Sequence, residues 1–204
     1  MEELTQQRFE DLLNSIAART PTPGGGAVAA SAGALACAMG RMVVAYSANA
    51  KTSDAHRALM QKVLDTLRQV DELLRSLISL DAETYRTMTV VAKELGKSSA
   101  DYQDAVLAAI AVPMKIVNAT SQAVDTLDDF KPLASRFLLS DLGVSAVLAE
   151  AAARAAAYSV RVNLPELTDA ARSTKLRQEL TAVLDRCVAR RDAITGFVDA
   201  ALQP

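Results

Sequence analysis

The sequence predicts an all-α protein, an antiparallel helical bundle of long helices around an alanine-rich central helix. Half of its 204 residues are hydrophobic, yet only 4% are aromatic and none is tryptophan. Alanine and leucine therefore supply the bulk, which suits closely packed helices. Apolar residues recur at steps of three and four over long stretches, and no segment shows the alternation of a half-buried strand. No Gly/Ser-rich linker divides the chain, so residues 1–204 read as one helical domain, large enough to bury a substantial core.

Phe9, Leu12, Leu13 and Ile16 give residues 5–18 one apolar face, a short amphipathic helix. The run Thr20-Pro21-Thr22-Pro23-Gly24-Gly25-Gly26 follows. Its prolines discourage helix on their N-terminal side. The three glycines then remove every side chain where the next helix begins, leaving its first N–H groups bare at the positive end of the helix dipole. Such a mouth suits a carboxylate, a phosphate or the edge of a polar heterocycle. The other reading is a tight turn that lets the next helix pack closely.

Residues 24–50 form the predicted central helix. They carry a single charge, Arg41, and are long enough to cross a bilayer. A central arginine costs about 2.5–3.5 kcal/mol on insertion, with little leucine to offset it. A helix buried inside a bundle explains the composition better than a membrane span.

A long helix is predicted over residues 54–95. Val63, Leu67, Val70, Leu74 and Leu77 step by four and three, and the stepping continues through Asp81 and Thr84 to Met88, Val91 and Leu95. Asp81 thus stands on a core-facing seam where leucine would ordinarily sit. Burying a carboxylate costs several kcal/mol unless it is paired. Asp81 is therefore either a structural partner for an arginine or a functional group with a perturbed pKa. His56, the only histidine, sits at the polar start of this helix.

Gly96 ends that helix, and residues 101–127 resume with Val106, Ile110, Val117 and Val124 inward. Pro113 lies inside, which predicts a kink and a freed carbonyl near Ala109. Pro132 suits the first turn of a short helix. Ser140-Asp141-Leu142-Gly143 reads as a helix start, a hydroxyl cap followed by an acid in the first turn. Val144, Val147, Leu148, Ala151, Ala155 and Tyr158 are its expected inner face. A final helix spans residues 166–202, with Leu176, Leu180, Val183, Leu184, Cys187, Ile194, Phe197 and Val198 inward.

The net charge of −2 argues against nucleic acid or an anionic membrane as partner. Cys37 and Cys187 fall within helical patterns and form no metal-ligand cluster, so they read as reduced core thiols. The opening Met1-Glu2-Glu3 lacks a basic, apolar leader. A cytoplasmic protein is expected.

The run Pro21 to Leu35, P-T-P-G-G-G-A-V-A-A-S-A-G-A-L, resembles the opening of the cyclodeaminase/cyclohydrolase family. The resemblance continues at residues 80–85 (L-D-A-E-T-Y), at Val112-Pro113, at residues 140–144 (S-D-L-G-V) and at residues 158–164 (Y-S-V-R-V-N-L). Lys51 falls on one of the family's three consecutive lysines, the only one kept here. Tyr85 replaces a phenylalanine and Leu142 a small residue.

The resemblance implies an all-helical homodimer that acts on one-carbon units carried by tetrahydrofolate, without a metal or other cofactor. It implies Asp81 and Lys51 as catalytic residues. Thr22, Pro23, Gly24, Gly25, Gly26, Ser47, Asp141 and Asn163 would contact the folate. Hydrolysis of 5,10-methenyltetrahydrofolate to 10-formyltetrahydrofolate is the expected reaction, since no formiminotransferase domain accompanies these residues. The alternatives are a cyclodeaminase that releases ammonia from 5-formiminotetrahydrofolate, and a folate-binding bundle that has lost catalysis. A purely structural scaffold would leave the glycine turn and the seam aspartate as coincidences.

Overall fold

The structure, a computed structural model, describes residues 4–50 and 52–203. Among these it holds six α-helices and no strand: α1 (Phe9–Ala17), α2 (Gly25–Ser47), α3 (Asp54–Glu94), α4 (Ala100–Phe130), α5 (Leu139–Asn163) and α6 (Ala170–Leu202). Short links reverse the chain after each long helix, so α2 to α6 run alternately up and down. Helices α2, α3, α4 and α5 close a ring in which each packs on the next, and α6 lies along the α4–α5 seam.

The predicted seam of α3 is the inner wall. Val63, Leu67, Val70, Leu74 and Leu77 are all buried, facing Ile110, Ile116 and Leu127 of α4 within one continuous core. Small residues on α2 let its neighbours approach. A Cβ on Gly33 would stand 2.7 Å from the Thr120 methyl and 3.0 Å from Leu74, inside ordinary contact distance. Both α2 and α4 are long and apolar enough to cross a membrane by composition. In this bundle the same composition serves close helix packing.

Among the described residues three acids lie buried in the bundle, and each meets an arginine. Asp71 accepts from Arg41 at 3.0 Å and Arg75 at 2.8 Å; Glu150 accepts from Arg154 at 2.6 Å; Asp128 accepts from Arg190 at 2.6 Å and also pairs with Lys131. Pairing offsets the desolvation that an isolated buried charge would suffer.

Three expectations are corrected. Ser140 does not cap α5: the helix already begins at Leu139, preceded by a 3₁₀ turn over Arg136–Leu138. The inner face of α5 is also different. Val144, Val147 and Tyr158 are exposed, whereas Leu142, Ser145, Ala146, Ala149, Ala153, Ala156 and Ala157 are buried. The small residues face inward because α2 and α4 pack close on that side, leaving no room for larger ones. On α1, Phe9 and Leu13 are exposed and no residue of the helix is fully buried, so its apolar stripe is only half covered.

Candidate functional site

The start of α2, the C-terminal half of α3, the first turns of α4 and the end of α5 meet at one end of the bundle. Between them lies a cleft of about 260 Å³, lined among others by Thr22, Gly24, Gly25, Gly26, Asp81 and Asn163. These six are the expected site residues that the fold brings together.

The N-terminus of α2 has no side-chain cap, because its cap residue is Gly24. Asp81 supplies one from a different helix: its Oδ2 accepts the Ala27 N–H at 3.1 Å. Among the described residues, the amides of Gly25 and Gly26 donate to nothing, leaving two free N–H groups at the positive helix end beside the carboxylate. Gly26 is required for the approach, since a Cβ there would overlap the Asp81 carboxylate.

Asp81 differs from the three buried acids of the bundle: it forms no ion pair among the described residues. Burial raises its pKa above the ordinary 3.8, and the Ala27 hydrogen bond pulls the other way. Among the described residues, no lysine, arginine or histidine lines the cleft. The site thus holds one uncompensated carboxylate and two backbone donors, which suits a ligand with a cationic centre and a nearby acceptor edge.

Asn163 is positioned by a proline on another helix. Pro113 has no N–H to give the Ala109 carbonyl one turn earlier, and Asn163 Nδ2 donates to that carbonyl at 3.1 Å, and to Ser159 O at 3.0 Å. With its amine so held, the Asn163 Oδ1 remains as an acceptor at the cleft.

Thr84, Tyr85 and Ser159 also line the cleft. Thr84 was legible as the next residue on the Asp81 seam, and Ser159 as the residue one turn before Asn163. Pro23, which follows a cis peptide bond, borders an adjoining cleft instead.

Two expected residues lie elsewhere. Ser47 ends α2, and its hydroxyl accepts the Ser135 N–H at 2.9 Å. Asp141 is in the first turn of α5, whose other end carries Asn163. Helices of this length span about 35 Å, so Ser47 and Asp141 sit at the opposite end of the bundle from Asp81. Lys51 lies outside the described residues. His56 is in the first turn of α3, at that same far end, and its N–H donates to the capping Ser53.

Comparison with known proteins extends the geometry. Residues 8–182 match the family described as formiminotransferase-cyclodeaminase. The chain is 25% identical over 98% of its length to the formimidoyltransferase-cyclodeaminase of Rattus norvegicus, but spans only 38% of that relative. It is 27% identical to the methenyltetrahydrofolate cyclohydrolase of Methylorubrum extorquens, covering 92% of this chain and 94% of that one. The fold is that of formiminotetrahydrofolate cyclodeaminase from Thermotoga maritima, with a TM-score of 0.84, 24% identity and 98% of each chain covered.

Proposed function

The chain belongs to the formiminotransferase-cyclodeaminase family, and on that premise we propose that it hydrolyses 5,10-methenyltetrahydrofolate to 10-formyltetrahydrofolate. One observation carries the reading: the Asp81 carboxylate, half-buried beside the free amides of Gly25 and Gly26, which among the described residues forms no ion pair and has no cationic side chain lining its cleft. The substrate carbon lies between N5 and N10 in a cationic amidinium, and a lone carboxylate at short range offsets that charge.

In the proposed reaction a water oxygen bonds to the bridging carbon while Asp81 takes one of its protons. The N5–C bond then breaks, its electron pair returns to N5, and Asp81 returns the proton there. The remaining hydroxyl proton leaves to solvent as the formyl carbonyl forms on N10. The free amides of Gly25 and Gly26 and the Asn163 Oδ1 supply donors and an acceptor for the pterin edge. The carbon is already electrophilic, so the reading calls for no metal. A cytoplasmic setting is part of the proposal, supported by the buried free thiols of Cys37 and Cys187.

The same reading includes a homodimer, supported by an apolar outer face on the neighbouring helices α2 and α5. Val28, Leu35 and Tyr46 on α2, with Val144, Val147, Tyr158 and Val162 on α5, are exposed along it. Contiguous surfaces of this kind mark association sites. A two-fold axis across the middle of that face would lay the second copy antiparallel. Its Ser47–Asp141 end would then approach the first copy's Asp81 cleft, gathering residues that one chain holds apart.

Incubating the purified chain with 5,10-methenyltetrahydrofolate and, separately, 5-formiminotetrahydrofolate tests the assignment. Loss of the methenyl near-ultraviolet absorbance above the uncatalysed rate is expected. Ammonia release from the second compound with no effect on the first would replace hydrolysis by the cyclodeaminase reaction. Turnover of neither would remove the enzymatic reading.

A further inference from the structure

The Asp81 cleft is smaller than the pockets that enclose drug-sized ligands, which begin at about 300 Å³, so most of a folate must lie outside it. A second cleft of about 400 Å³ adjoins it, lined among others by Gln7, Thr20, Thr22, Pro23 and Arg86, and Thr22 borders both. Arg86 follows Asp81 by five residues on α3, about 7.5 Å along the axis. That is comparable with the length of an aminobenzoyl group.

Arg86 is half-buried, and its Nε donates to Thr22 Oγ1 at 3.2 Å. Among the described residues it forms no ion pair, unlike Arg41, Arg75, Arg154 and Arg190, each of which meets an acid. Its terminal nitrogens therefore present an unfilled fork, the geometry that binds a carboxylate through two hydrogen bonds. Gln7 borders the same cleft, and its Oε1 is buried and finds no donor among the described residues. A buried acceptor left without a partner is costly, and a turn of the Gln7 side chain into the cleft would bring it to a ligand N–H. Tyr85, next to Arg86, exposes an aromatic surface at the first cleft.

Beyond N10 a folate carries a benzoyl ring, one amide N–H and the carboxylates of a glutamate. We propose that the cleft formed by Gln7, Thr22 and Arg86 is the subsite for this aminobenzoylglutamate tail. The ring lies against Tyr85, the Gln7 side chain turns to accept the amide N–H, and Arg86 grips a carboxylate. The assignment rests on the folate reading of the Asp81 cleft.

Kinetics with 5,10-methenyltetrahydrofolate and with its pteroate analogue, which lacks the glutamate, test it. The unmodified protein is expected to favour the glutamate-bearing compound by about tenfold or more in kcat/KM, through KM, and Arg86→Gln to remove that preference. Equal use of both compounds, or a preference that survives Arg86→Gln, overturns the tail subsite while leaving the folate reading intact. Turnover of neither by the unmodified protein overturns both. A second measurement needs no variant: p-aminobenzoylglutamate should inhibit at least about tenfold more tightly than p-aminobenzamide. Equal inhibition contradicts the proposal.

Discussion

The Asp81 carboxylate occupies the space that a side chain on Gly26 would need, so one residue's charge and the other's lack of a side chain are a single feature. Two stretches far apart in sequence, a glycine run and a polar residue on an apolar seam, are fitted to each other. Gly26→Ala is expected to push the carboxylate away from the α2 amides. Displacement of a reacting group by about 1 Å costs on the order of a hundredfold in rate, and overpacking adds about 1–3 kcal/mol of instability. Turnover and thermal unfolding of the variant check both numbers.

The raised pKa of Asp81 gives a pH prediction. If the ionised form does the chemistry, kcat/KM falls as pH drops through that pKa, so the acid limb lies above 3.8, the ordinary value. The linkage has the opposite sense. A carboxylate whose folded pKa is raised favours the fold below its unfolded pKa, and that contribution is lost as pH rises through the folded value. At neutral pH the ionised Asp81 therefore weighs against stability. Asp81→Asn, which keeps an acceptor for the Ala27 N–H, should melt no lower than the unmodified protein at pH 7. Melting curves from pH 4 to about 8 show the sign directly.

Asn163 and Pro113 should be energetically coupled through the Ala109 carbonyl. Asn163→Ala strands that carbonyl and is expected to cost about 1–3 kcal/mol. In a Pro113→Ala background the residue at position 113 regains an N–H for Ala109, and the same change should cost less. A double-mutant cycle by urea unfolding is expected to give a coupling of at least about 0.5 kcal/mol.

Much of this was legible in the sequence, and the illegible parts share a physical cause. The α3 seam could be read because leucine and valine stand against charged neighbours there, and Asp81 interrupts it. The Ala109 carbonyl followed from Pro113 alone. The inner face of α5 could not be read by hydrophobicity, because alanine is nearly indifferent to burial. What selects it is the close approach of α2 and α4, which a single helix does not reveal. The separation of Ser47 and Asp141 from the glycine turn within one chain is a matter of helix length. Gly25 and Ser47 are the two ends of one helix, and no single chain folds them into one pocket.

The apolar face on α2 and α5 yields a prediction of assembly. Val147→Lys places a charge on an exposed α5 position and should leave the protomer fold unchanged. It is expected to shift the protein from dimer to monomer in sedimentation velocity, and to lower turnover by about tenfold or more as the second copy leaves the cleft. A monomeric unmodified protein with full activity would remove the dimer from the proposal.

Replacing Asp81 by asparagine and following 5,10-methenyltetrahydrofolate in the near ultraviolet asks most plainly whether the lone carboxylate does the chemistry. A loss of about 10²–10⁴-fold in kcat is predicted, the range for removing a general base, with the helices intact by circular dichroism. Turnover at the unmodified rate would contradict it and leave Asp81 as nothing more than a cap on α2.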